Sequence, residues 1–320
     1  MRGIMFTAKG RAEIIEEPTP VCTDDTMLLR TLYSGLSNGT ERSFLMGGSY
    51  GGERWPQRIA YQHVSQVVEC GSRITRLAVG DIVYTGRCHG HVEYHLARES
   101  DLIVRLPEGL DLKVAALMGV ASVSFHDARR GRIAPEDNVV VFGAGLIGQF
   151  AAQAARVRGA KVTVVDRLDD RLALAAELGA DVVVNTSSEE GRQRLAAGGP
   201  YSAVFECSGA DVLDAIIGRP GQTSLVGHRS HARLILVAGR FDVTYNFNAA
   251  GAAELDIIHT QHFDQMDLDQ VLRLVCRGDI RIEPLIRQVV PLAGAPGVYD
   301  TLRDEPSALL GTVFDFTTTP

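Results

Sequence analysis

No stretch of this chain holds the roughly 20 consecutive apolar residues that a membrane-spanning helix needs. A bilayer-embedded protein is therefore not expected. The first ten residues, Met-Arg-Gly-Ile-Met-Phe-Thr-Ala-Lys-Gly, contain no apolar h-region and no cleavage site, so no secretory leader is expected either. Cysteine is scarce and scattered: Cys22, Cys70, Cys88, Cys207 and Cys276 are odd in number and form no C-x-x-C pair. That usage excludes a disulfide framework and a cysteine-rich zinc knuckle, and it fits reduced thiols in a cytoplasm. Positive charge is in deficit, 32 Lys and Arg against 39 Asp and Glu, a net −7. Nothing in such a balance neutralises phosphates, so nucleic acid and acidic membranes are not expected partners. Internal repeats and low-complexity linkers are lacking too.

What is present is enough chain for two cores: 320 residues, 45% hydrophobic and 22% charged. The most informative stretch is Val139-Val140-Val141-Phe142-Gly143-Ala144-Gly145-Leu146-Ile147-Gly148. It is an apolar strand entering G-x-G-x-x-G, followed by an Ala-rich helix and a second strand, Lys161 to Val165, that ends on Asp166. This β-α-β context turns a weak glycine pattern into a dinucleotide-binding proposal. Gly143 permits a tight turn, Gly145 a close approach to pyrophosphate, and Gly148 close helix–strand packing. Leu146 and Ile147 open the helix, whose free N–H groups attract phosphate. Asp166 is placed to accept hydrogen bonds from the ribose hydroxyls, which favours NAD over NADP. Arg167 and Arg171 are the nearby cations.

Around this unit the chain changes character. Short strands punctuated by turns are expected at Met27–Tyr33, Ser65–Glu69, Asp81–Tyr84 and Leu102–Arg105, then a helix or helix pair from Asp111 to Arg130. Strands and helices then alternate regularly (138–142, 146–158, 161–165, 169–178, 181–184, 202–206, 211–217, 233–238, 255–259), which implies a parallel sheet with helices on both faces. A helix over Leu268–Cys276 and another near 294–304, with short strands between 280 and 316, close the chain. The expected α/β architecture is a discontinuous β-rich catalytic domain (1–118 and 264–320) with a doubly wound Rossmann domain (119–263) inserted. Ligands bind at the carboxyl ends of parallel strands. Cys207-Ser208-Gly209, Val237-Ala238-Gly239, and Thr260 with Gln261 are therefore further cofactor candidates. The stretch Gly218–His231 is longer than such a fold needs.

This arrangement, with the phrases SQVVECGSRITRLAVGDI (Ser65–Ile82), Leu102–Gly109 and GAGLIGQFAAQAARVRGAKVTVVDRLDDRLALAAELGAD, resembles the medium-chain dehydrogenase/reductase superfamily over nearly the whole chain. The last phrase is similar to the sorbitol and threonine dehydrogenase branch. The resemblance implies a GroES-like catalytic domain, a Rossmann domain, hydride transfer to nicotinamide at a cleft between them, and dimers or tetramers formed through the Rossmann domain. Zinc-dependent members carry a G-x-C-G-S/T-D-like segment, a G-H-E segment, and a Glu or Cys before the Rossmann domain. Here the flanking motifs put Ser37, Tyr61, Gln62 and Gly119 at those positions. Zinc takes thiolate, imidazole or carboxylate ligands, so a zinc-independent member is expected, with no metal. The stretch Ser34–Glu41 is similar to that of zinc-free bacteriochlorophyllide dehydrogenases.

Without a metal, a side chain must handle the substrate hydroxyl proton. Tyr61 is the leading candidate, although a phenol of ordinary pKa near ~10 needs help to act as a base at neutral pH. Glu41 and His63 are rivals, and Ser37 and Thr40 complete the catalytic candidates. Asn38 and Gln62 are candidates for holding substrate, although Ser-Asn-Gly also reads as an ordinary turn. The Gly-rich stretch Met46–Pro56 could form a lid that brings Tyr50 and Trp55 to the substrate, or simply a surface loop. His89, His91 and His95 share a β-like face and are read as loop and strand residues, with a metal role as the alternative. His126 is read as a satisfied core histidine. The expected activity is NAD-dependent oxidation of a secondary alcohol, or reduction of the ketone, in a polyol, cyclitol or natural-product intermediate. A C=C (quinone or enoyl) reductase and a non-catalytic NAD-binding protein remain the alternatives.

Overall fold

The computed structural model describes residues 1–87, 89–219 and 224–318. Cys88 and the centre of the long 218–231 stretch lie outside the described residues. In chain order the elements are β1 (Arg2–Ala8), β2 (Arg11–Glu16), β3 (Met27–Gly35), α1 (Asn38–Met46), β4 (His63–Cys70), β5 (Ile82–Thr85), β6 (Tyr94–Ala97), β7 (Ile103–Arg105), α2 (Leu112–Ala115) and α3 (Met118–Arg130). Next come β8 (Asn138–Phe142), α4 (Leu146–Val157), β9 (Lys161–Asp166), α5 (Asp169–Glu177), β10 (Val182–Asn185), α6 (Glu189–Ala197), β11 (Ala203–Glu206), α7 (Leu213–Ile217), β12 (Arg233–Leu236), α8 (Phe247–Ala253) and β13 (Asp256–His259). The chain ends with α9 (Gln265–Arg277), β14 (Ile286–Pro291), α10 (Ala295–Asp304) and β15 (Gly311–Asp315). Two compact units result: Met1–Val120 with Asp264–Pro320, and Ala121–Phe263.

The second unit is a six-stranded parallel sheet in the order β10-β9-β8-β11-β12-β13. By strand count within the unit this is 3-2-1-4-5-6, the doubly wound Rossmann order. Its central strands are unbroken apolar runs because helices cover both faces. Val139, Val140 and Val141 of β8 are completely buried. Helix α4 buries nine of its twelve residues, and its alanines let it lie close against the sheet. Acidic Asp169 and Asp170 open α5, where the helix dipole favours them.

The first unit is β-rich: β1 and β2 form a two-stranded ribbon, and the larger sheet runs β14-β15-β3-β4-β5-β7, with β6 also on β3. One core cluster joins Ile4, Phe6, Leu36, Leu45, Tyr299 and Phe314, and another joins Met27, Leu29, Val67 and Val83. The expected α/β fold, GroES-like plus Rossmann, is the fold observed.

Local differences have physical causes. Asp111–Arg130 is a helix pair: Asp111 caps α2 by accepting the Lys113 N–H at 2.8 Å, and the chain breaks before α3. Ser-Asn-Gly at 37–39 is no isolated turn but the start of α1, whose helix ends at Gly47 in left-handed geometry. Strands β1 and β2 and helices α6 and α8 were not expected. The first two form a hairpin-like ribbon, and α6 follows a Ser188 cap that accepts the Gly191 N–H.

Candidate active site

The cofactor candidates gather at the switch point where the strand order reverses, between β8 and β11. Gly143 has φ +92°, which side chains avoid, and a Cβ there would lie 3.0 Å from Ser208 Cα. A Cβ at Gly148 would meet the Gly143 carbonyl oxygen at 1.8 Å, so α4 can start this close to β8 only with glycine. Gly145 is open: its nearest neighbour would be an Arg171 guanidinium nitrogen at 3.6 Å. Leu146 and Ile147 form the first turn of α4. Asp166 ends β9 with one oxygen accepting Ala144 N–H (2.6 Å) and the other accepting Arg167 and Leu168 N–H (2.6 and 3.1 Å). This fixes the carboxylate beside the glycine turn, while Arg167 is exposed.

Cys207, Ser208 and Gly209 follow β11. Burial pushes the Cys207 thiol well up, so it is no thiolate. Their turn depends on Glu206, a residue that sequence reasoning passed over. The fully buried Glu206 carboxylate accepts Ser208 N–H (2.9 Å), Ser208 O–H and Gly209 N–H (3.0 Å), and pairs with Arg240. An acidic residue closing an apolar strand was the available signal. Val237, Ala238 and Gly239 follow the adjacent β12. Thr260 and Gln261 follow β13, two strands from β11 and so roughly 10 Å along the sheet.

In the first unit a hydrogen-bonded chain joins four of the other candidates. Ser37 Oγ and Tyr61 Oη stand 2.9 Å apart, and both residues are 7% exposed. Ser37 N–H donates to Glu41 Oε1 at 2.8 Å. Glu41 Oε2 accepts from Tyr299 O–H at 2.5 Å and lies 2.9 Å from His91 Nε2. Ser34 O–H donates to the Gln62 carbonyl (2.9 Å) and also touches His91 Nδ1 (2.7 Å). Gln62 is fully committed: its amide N–H donates to Gly35 O at 3.2 Å, and its Oε1 accepts Val120 N–H at 2.9 Å. Glu41 is completely buried with both oxygens occupied, so its carboxylate holds Ser37 in place. Burial, with Glu41 alongside, pushes the Tyr299 phenol well up, so it stays a hydrogen-bond donor. Tyr299 and Ser34 were not among the site candidates, and His91 was weighed only for a metal role, because residues so far apart in sequence meet only through β3, β15 and α10.

The remaining candidates lie elsewhere in this unit. His63 is turned into the sheet interior: its Nε2 meets Gly90 O at 2.8 Å, and its ring packs against His95 with centroids 4.9 Å apart. Burial holds His63 and His95 well below the ordinary imidazole range. Asn38 donates to Leu309 O at 3.2 Å, and Thr40 is half-buried on α1. Trp55 packs against the Phe6–Leu45 core cluster and Tyr50 is 53% exposed. The Gly-rich loop is tied back by Gly48 and Gly52 backbone bonds and by Tyr50 N–H on Ser43 Oγ. His126 Nδ1 on α3 accepts from the Arg129 guanidinium at 3.0 Å.

Three comparisons bear on this arrangement. The sequence profile of the family described as zinc-binding dehydrogenase matches residues 147–275. Sorbitol dehydrogenase 1 of Saccharomyces cerevisiae is 28% identical, over 93% of this chain and 93% of its own. The chain is thus similar to dehydrogenases of the medium-chain type. Two solved structures share the fold of this dehydrogenase. One is a short chain alcohol dehydrogenase from E. coli CFT073 complexed with NADH (TM-score 0.82, 18% identical, 99% of both chains). The other is a zinc-binding dehydrogenase from Sinorhizobium meliloti bound to NADP (TM-score 0.81, 18% identical, 98% of both).

The family profile is described by zinc, but at the four positions where the resemblance expects its catalytic ligands the residues present do not fit that ion. Ser37, Tyr61 and Gln62 supply a hydroxyl, a phenol and an amide, and no thiolate, imidazole or carboxylate. At Gly119 a Cβ would lie 2.2 Å from the Tyr84 hydroxyl oxygen and 2.8 Å from Gln62 Cγ. Buried neighbours thus fill the space that a ligating side chain would need.

Proposed function

We propose that this dehydrogenase acts without zinc, prefers NAD(H), and interconverts a secondary alcohol and ketone in a polyol, cyclitol or related hydroxylated small molecule. The single observation that carries the reading is the 2.9 Å contact between Ser37 and Tyr61 at two positions where the family resemblance expects metal ligands. The polyol class rests on likeness to sorbitol dehydrogenase. Preference for NAD rests on Asp166, whose fixed carboxylate would repel a 2′-phosphate.

The nicotinamide, when bound, supplies or accepts the hydride. Tyr61 supplies the proton: a phenol of ordinary pKa near ~10 is a good donor and a poor base at neutral pH. Reduction of a ketone is thus the direction this pair serves best, with Tyr61 O–H giving its proton to the developing alkoxide oxygen, Ser37 O–H donating a hydrogen bond to the phenolate left behind, and solvent water reprotonating that phenolate before the next turnover. Glu41, held by Tyr299 and His91, fixes Ser37 through its backbone N–H.

The test is a panel of sugar alcohols and their ketones assayed with NAD(H) and NADP(H), before and after dialysis against a chelator. Turnover with NAD(H) that survives chelation supports the reading. Activity that disappears with the chelator and returns with zinc overturns it, and a preference for NADPH overturns the Asp166 argument.

A further inference from the structure

The sheet of the first unit encloses four imidazoles, of which only His91 belongs to the Ser37–Glu41 chain. His63 packs against His95 and His89 with ring centroids 4.9 and 6.0 Å apart, and His89 and His95 are 4.6 Å apart. His63 and His95 are 0% and 3% exposed, and His89 is half-buried on the connection after β5. Because Nε2 of His63 faces the Gly90 carbonyl, which only accepts, that nitrogen carries the proton and Nδ1 presents a lone pair. His63 Nδ1 is buried without a hydrogen-bond partner among the described residues, and so is His89 Nε2. A buried polar atom left unpaired costs about 1–3 kcal/mol, so two in neighbouring rings call for a ligand. A cavity of about 350 Å³ opens onto His89 and His95, the two imidazoles packed against His63, and is also lined by Met1, Arg58, Arg87, Tyr94 and Arg98. Each of the three arginines is paired, with Glu17, Asp101 and Asp25 respectively, and the Met1 ammonium donates to the Glu17 carbonyl.

We propose that His63 Nδ1 and His89 Nε2 are the two protein ligands of a borderline transition cation of the Zn²⁺ or Co²⁺ type, admitted through this cavity and completed by water. Two imidazoles bound to one ion at about 2.0–2.1 Å per nitrogen have ring centroids roughly 5–6.4 Å apart, a range that contains the His63–His89 separation of 6.0 Å. Imidazole is the donor that suits such ions. His95 holds Thr31 and Thr85 at 3.4 and 3.3 Å and walls the site. The ion would clamp the connection carrying His89, whose backbone N–H already bonds Ala60 O, onto β4. This site is independent of the Ser37–Tyr61 pair and of the proposed reaction.

The experiment adds Co²⁺, then Zn²⁺, to chelator-treated full-length protein. One Co²⁺ per chain with visible d–d absorption is expected, displaced by Zn²⁺, together with a rise in Tm. His89→Ala should weaken binding at least about tenfold, and Ser37→Ala should leave it unchanged. Because a variant can fail to fold, imidazole ¹⁵N spectra of the wild-type protein supply a second measurement: Zn²⁺ should move His63 Nδ1 and His89 Nε2. Unmoved His63 and His89 resonances, unaltered binding in His89→Ala, or binding abolished by Ser37→Ala would each overturn the proposal.

Discussion

A side chain at Gly119 would collide with Tyr84: its Cβ would lie 2.2 Å from the Tyr84 hydroxyl oxygen, which donates to Tyr61 O at 3.1 Å. One buried phenol thus occupies the room a side chain at 119 would need while bonding the backbone of Tyr61, two positions where the family resemblance expects metal ligands.

Gly119→Ala should therefore destabilise the protein by about 1–3 kcal/mol, the usual cost of overpacking. Tyr84→Phe in the same chain should recover part of the loss by removing the clashing oxygen. Urea unfolding of the wild type and the two variants measures this, and an alanine tolerated without cost would refute the packing argument.

Tyr61→Phe should lower kcat about 100-fold with little change in KM, as expected for a proton donor used in the transition state. Ser37→Ala should lower kcat less, and the double variant should resemble Tyr61→Phe alone, because the two hydroxyls share one hydrogen bond. Additive losses would mean that they act separately.

Asp166→Ala should weaken NADH binding about tenfold or more, in line with hydrogen bonds to a charged group. The gap between NADH and NADPH should narrow as the repulsive carboxylate goes. Fluorescence titration with both cofactors reads this directly; an unchanged ratio would leave Asp166 as a brace for Ala144.

Glu206→Gln should cost about 3 kcal/mol or more by leaving Arg240 unpaired beside a buried site. Replacing both, Glu206→Gln with Arg240→Gln, should cost less than the single change. Thermal unfolding separates this from cofactor binding, which should weaken in both variants because the turn at Ser208 and Gly209 loses its anchor.

Much of the Rossmann unit was legible in sequence because its signals are local. Gly143 needs a positive φ, Gly148 a close approach, and β8 an apolar run, and each requirement falls within a few residues of the chain. The Ser37 region was less legible. Asn38 begins a helix where Ser-Asn-Gly reads as a turn, since packing of Leu45 into the core outweighs weak local propensity. Trp55 reads as a substrate contact, and one side of it packs against the core.

The sequence by itself determined the cofactor motif, the Asp166 carboxylate and the residue types at positions 37, 61, 62 and 119, because these are facts of composition and spacing. Only the tertiary structure decided what those residues do to one another. It put Ser37 on Tyr61, closed both oxygens of Glu41 with Ser37, His91 and Tyr299, and turned His63 away into a ring of imidazoles. Such relations depend on strand register and on contacts between residues more than 200 positions apart, such as Glu41 and Tyr299. Local pattern carries no information about them.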